Sequence, residues 1–219
     1  MTKIIMDEMK RTREALRALL LKVQEGCRLM IRLAGGEEDM APLLARVSEL
    51  EEESDGEMTR ITGELADIVG KLYLAGLLKR AVVCDAVVAH GAEAMLDTLQ
   101  SVAATWRELM DSEPGAVTHE TRLLLDSMLQ NCVVMIEKTV DILDGKDSSE
   151  TALAFIRELD RNVNQANLTA HEALLGQKGD RRSILRLIRV FKNVEVLGDK
   201  IKSAAMYLLF IRTGEFIRV

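Results

Sequence analysis

The chain has 219 residues and a formal net charge of −6, its 29 basic and 35 acidic residues interspersed, so no basic stripe offers itself to nucleic acid. Hydrophobic residues make up 48% but aromatics only 3%, and Leu, Ala, Val, Met, Glu and Arg dominate. That composition supplies a core, favours helices and disfavours sheets.

Apolar residues at three- and four-residue spacing, among them Ile5, Met9, Leu16, Leu20, Val23, Cys27 and Met30, predict a first helix from about Ile4 to Leu33, stopped by Gly35 and Gly36. Pro42 suits the first turn of a second helix, which carries a dense acidic face with Glu49, Glu53 and Glu57 at four-residue spacing and Glu51, Glu52 and Asp55 beside them. Gly70 ends or bends it, and a third helix follows to Met110 before the break Glu113-Pro114-Gly115. Thr118 can cap a fourth helix, DGKDSS turns the chain into a fifth, and GQKGD into a sixth from about Arg182 to Ile211. The chain thus reads as all-α, six long helices in two tandem three-helix antiparallel bundles, 1–113 and 114–219. Helices of thirty residues span about 45 Å, so an elongated pair of rods is expected rather than a ball.

Internal similarity supports a duplication. CRLMI at 27–31 resembles CVVMI at 132–136, SELEEESD at 48–55 resembles RELDRNVN at 157–164, and KRAVVCD at 79–85 lies over NVEVLGD at 193–199. No apolar run reaches the ~18–20 residues of a membrane span, and the charged N-terminal stretch is unlike a signal peptide. Cys27, Cys84 and Cys132 lie in apolar helical contexts without metal spacing and read as buried thiols of a reducing compartment.

Chemistry-bearing motifs are sparse. There is no phosphate-cradling glycine loop, no H-E-x-x-H, no glycine-flanked serine, and His90, His119 and His171 lack the E-x-x-H spacing of di-iron bundles, so catalysis has no support. The acidic residues are the exception. Glu195 and Asp199 are one helical turn apart on one face and need a positive charge nearby, which a metal ion or the flanking Lys192 and Lys202 could supply. Gly198 between them weakens the helix by about 1 kcal/mol relative to alanine, which points to close approach of a neighbouring helix.

The stretch Arg189 to Asp199, with Arg189, Lys192, Asn193, Glu195, Gly198 and Asp199, resembles the signature of the PhoU family of phosphate-uptake regulators, and SELEEESDGEMTRI resembles its second-helix pattern. The resemblance implies tandem three-helix bundles over the whole chain and a cytoplasmic, non-enzymatic regulator docking on a membrane phosphate transporter or a sensor histidine kinase. It also implies a divalent or iron cation at E-x-x-x-D motifs of both repeats. The first repeat has Ala81 in place of the glutamate and keeps Asp85, while Ala89 and Ser203 stand where the family often has Asn or Asp. The C-terminal site then comprises Glu195 and Asp199 with Glu158 or Asp160 from the facing helix.

Other readings are a soluble PhoU-like domain of a sodium–phosphate cotransporter, and a helical adaptor using Met-rich positions such as Met6, Met9, Met30, Met40, Met58, Met95 and Met110 as a groove. A carboxylate-bridged metalloenzyme lacks its motifs. The apolar end, with Tyr207, Leu208, Leu209, Phe210, Ile211, Phe216 and Ile217, exceeds one helical stripe and predicts packing across the two bundles or a homo-oligomeric contact.

Overall fold

A computed structural model describes residues 2–36, 39–70, 76–147, 149–176 and 180–214. Its helices are α1 (Thr2–Gly35), α2 (Met40–Gly70), α3 (Gly76–Ser112), α4 (His119–Asp144), α5 (Glu150–Leu175) and α6 (Arg181–Thr213), with a 3-10 turn at Pro114–Ala116 joining the halves. No strand occurs among the described residues.

The ends follow the chemistry the sequence announces. Thr118, Ser149 and Asp180 are extended N-caps whose side-chain oxygens accept from the backbone N–H of Thr121, Ala152 and Ser183. Three of the exits are left-handed glycines, Gly36, Gly145 and Gly214, with φ of 75°, 79° and 77°. Each is covered by an arginine from another helix: Arg122, Arg212 and Arg80, which donate to the carbonyls of Ala34, Leu143 and Phe210. These guanidiniums neutralise the negative end of each helix dipole and tie one helix to the next.

Each half contributes three helices, but they do not stand as separate rods. α1, α3, α4 and α6 pack on one another, α3 most extensively on α6 and α1 on α4, while α2 lies outside on α1 and α3 and α5 outside on α4 and α6. One continuous apolar core therefore crosses the duplication, from Leu16, Met30 and Trp106 to Ile136, Phe191 and Leu208. Met9, Met30 and Met95 are buried in it, as are all three cysteines, whereas Met6 is exposed and borders, with Met9, a surface cavity beside Leu78, Leu143 and Ile211. Burial pushes the Cys27 thiol up to about 12, which leaves it protonated and unreactive. Of the apolar end, Leu208, Leu209 and Ile211 are in this shared core, whereas Phe216 and Ile217 lie outside the described residues.

Candidate functional site

The acidic face of α2 divides in two. Glu49, Glu53 and Glu57, one helical turn apart, meet cations: Lys22 Nζ lies 2.7 Å from Glu53 and 2.8 Å from Glu57, and Arg46 bridges Glu25, Glu49 and Glu53. Hydrogen bonds from both cations hold the Glu53 carboxyl below its ordinary range. Glu51 and Asp55 turn the other way, toward α3.

There they meet Glu93 and Asp97. Burial raises the Glu51 carboxyl above the usual carboxylate range, and the charges of Asp55 and Asp97 push it further. Glu93 is raised in the same way, by burial and then by Asp97 and Asp55, with His90 opposing. Four carboxylates thus crowd the α2–α3 seam. Gln100 Nε2 donates to Glu51 at 2.9 Å without bringing charge. The Lys200 ammonium is held by the carbonyl of Ala94 at 2.6 Å and by Thr98 Oγ1 at 2.9 Å, and burial lowers its pKa even though Asp97 and Glu93 favour its charge.

Glu93-x-x-x-Asp97 is the N-terminal E-x-x-x-D pattern. Residues 90–100 lie over 192–202 at a constant offset, so that Glu93 falls on Glu195 and Asp97 on Asp199, and burial agrees in register: Ala92 with Val194, Met95 with Leu197, Leu96 with Gly198, Leu99 with Ile201. The expected pairing of 79–85 with 193–199 is a misalignment. Asp85 faces inward, its side chain 0% exposed, and its Oδ2 takes Nε–H of Arg13 on α1 at 3.0 Å. Burial raises its pKa and Arg13 opposes that, so Asp85 is the buried half of an ion pair whose other half, Arg13, is partly exposed. The signal that finds Glu93 and Asp97 is the motif spacing itself, which outweighs the local likeness of KRAVVCD.

The C-terminal copy is closed. Lys202 Nζ donates to Asp160 Oδ2 at 2.6 Å and to Asp199 Oδ1 at 2.7 Å, and Lys192 pairs with Glu195. Asp160 is 6% exposed and Asp199 49%. Glu158, two residues from Asp160, is exposed. The structure therefore brings Asp160 and Asp199 together, but around an ammonium. The residues of this copy do not fit a metal. Among all described residues no three His, Cys, Asp or Glu side chains converge as a metal-holding group.

Gly198 is buried beside α5, but not through an approach so close that it requires a glycine. A methyl built there would touch Val163 Cγ1 at 3.5 Å and Asp160 Oδ1 at 3.7 Å, ordinary contacts that an alanine would make without strain.

Solved structures share this architecture. PhoU from Pseudomonas aeruginosa matches over 95% of this chain and 99% of its own, with a TM-score of 0.84 and 17% identity. The phosphate transport system regulatory protein PhoU from Streptococcus pneumoniae matches over 98% and 100%, with a TM-score of 0.82 and 14% identity. The chain has the PhoU fold. No protein-family model matches the sequence, and no curated protein matches it significantly. The PhoU fold accounts for the six-helix duplication, and no helix among the described residues is long and apolar enough to cross a membrane.

Proposed function

We propose that this chain is a PhoU-like regulator of phosphate transport or signalling, acting without catalysis by docking on a membrane phosphate transporter or a sensor histidine kinase at the cytoplasmic face. The observation that carries the reading is the fold match over nearly the full length of both chains, joined to the signature residues Arg189, Asn193, Glu195, Gly198 and Asp199 on α6. Six helices in this duplicated order constrain the reading more than composition does, although fold alone does not carry function.

Within this reading a divalent or iron cation belongs at the N-terminal copy. Glu51, Asp55, Glu93 and Asp97 supply hard oxygen donors and excess negative charge, although no three of them converge as they stand. Its role would be to fix the α2–α3 surface for a partner.

The test is removal of the gene from its host, followed by radiolabelled phosphate uptake in phosphate-replete medium. Derepressed uptake, restored by the wild-type chain, is the expected result; uptake unchanged by the deletion would refute the assignment.

A further inference from the structure

Gln100 and Lys202 occupy the same place in their repeats, each three residues after the aspartate of the E-x-x-x-D pattern. Both reach from an inner helix to a carboxylate on the outer one. Gln100 on α3 donates to Glu51 on α2, and Lys202 on α6 donates to Asp160 on α5 while also holding Asp199. The reach is the same and the charge differs by one.

That difference changes what each copy can accept. In the N-terminal copy four carboxylates face a neutral amide, His90 and one lysine already engaged by a backbone carbonyl. In the C-terminal copy Asp160, Asp199 and Glu195 meet two ammonium groups, those of Lys202 and Lys192. A divalent ion brought to that copy would have to displace Lys202 from two carboxylates, one of them almost wholly buried. The other oxygen of that buried residue, Asp160 Oδ1, has no hydrogen-bond partner among the described residues and points at the Gly198 face. An ion admitted in place of the ammonium would find it waiting.

We infer that the residue three after the motif aspartate decides which copy takes a cation from solution: Lys202 fills the C-terminal copy with its own ammonium, and Gln100 leaves the N-terminal copy open. Lys202 is a specificity residue, a covalently attached counter-ion where the duplicated site would otherwise call for a dissolved one. The assignment of the open copy rests on the cation reading of the proposed function; the assignment of the closed copy stands on its own geometry.

A reciprocal exchange tests it, with Mn²⁺ as the probe and binding followed by calorimetry and by the loss of the free-ion EPR signal. The full chain is used, with helical circular dichroism and melting temperature as controls. Lys202→Gln should add one Mn²⁺ per chain, and that site should be lost again when Asp199→Asn is added. Gln100→Lys should weaken wild-type binding at least tenfold, as should Asp97→Asn. The double exchange should keep the stoichiometry while moving its sensitivity from Asp97 to Asp199. A folded Lys202→Gln variant with unchanged stoichiometry would overturn the inference, as would wild-type binding that is lost with Asp199→Asn and indifferent to Asp97→Asn. If the wild type binds no Mn²⁺, the cation part of the proposed function fails. A site gained in Lys202→Gln would then still uphold the role of Lys202, and none gained would end it.

Discussion

The two E-x-x-x-D segments share spacing, burial register and a place beside the α3–α6 packing, yet one is crowded with like charge and the other is neutralised. On the N-terminal side Glu51 and Glu93 are held above the usual carboxylate range. On the C-terminal side burial works against the Lys202 ammonium, but Asp160 and Asp199 outweigh it and leave its pKa raised. A duplicated fold therefore preserves the scaffold of a site while the polar positions beside it, Lys202 against Gln100 and Lys192 against His90, alter its electrostatics. Side-chain charge three residues beyond the motif says more about the chemistry than the motif does.

The largest expected effect separates the misaligned candidate from both copies. Arg13→Ala strands Asp85 in the core and should lower unfolding free energy by about 2–3 kcal/mol, read by urea denaturation. The sign with pH follows from the raised Asp85 pKa: the folded state takes up the proton before the unfolded chain does, so the loss should shrink as pH falls toward 5. A loss that is equal at pH 5 and pH 8 would show that Asp85 is not the group responsible.

Next comes the matched pair. Lys202→Met leaves the nearly buried Asp160 without its cation and should destabilise by about 1–3 kcal/mol, while Gln100→Met leaves a half-buried Glu51 that water can reach and should cost less than about 1 kcal/mol. Equal losses would mean that the two positions perform the same structural task. Lys192, 55% exposed, makes an i,i+3 pair with Glu195, and its removal is expected to change stability by no more than a few tenths of a kcal/mol.

Gly198→Ala sharpens the contrast in the other direction. The neighbouring Val163 and Asp160 leave room for a methyl, and alanine holds a helix better than glycine by about 1 kcal/mol, so the variant should melt higher than wild type. Leu96 stands at the matching position of the other copy, which already shows that the pattern does not need glycine. A lower melting temperature would indicate that α5 and α6 sit closer in solution.

Much of this was legible beforehand. The six helices, the caps at Thr118 and the glycine stops announce themselves because 3.6-residue periodicity and capping chemistry are local. The lysine ladder of α6 was legible too, since i,i+3 spacing fixes which charges meet. What local pattern could not give was the repeat register on α3: KRAVVCD imitates NVEVLGD in apolar content, whereas register depends on which face the core takes. Nor could it show that Asp85 meets α1, that Glu51 and Asp55 turn to α3 while Glu53 turns to Lys22, or that one core unites the halves. Those are consequences of helix rotation and of contacts between residues far apart in the chain.

The smallest effect tests the crowded copy directly. An acid whose pKa is raised by folding makes the native state bind protons first, so its cluster is least favourable above the raised pKa and gains as pH falls through it. Glu53, Asp144 and Asp147 act oppositely: their pKa values are lowered, so their stabilisation is present at neutral pH and is lost in acid. A bulk pH profile mixes the two. Subtracting the melting profile of Glu93→Gln from that of the wild type, both in chelator, cancels the opposing groups. The variant should melt higher at pH 7, and the difference should close toward pH 4 as Glu93 is protonated in the wild type. A gap that is absent at pH 7 would mean that Lys200 already balances the cluster, and the open copy would then lack the excess charge that distinguishes it from the closed one.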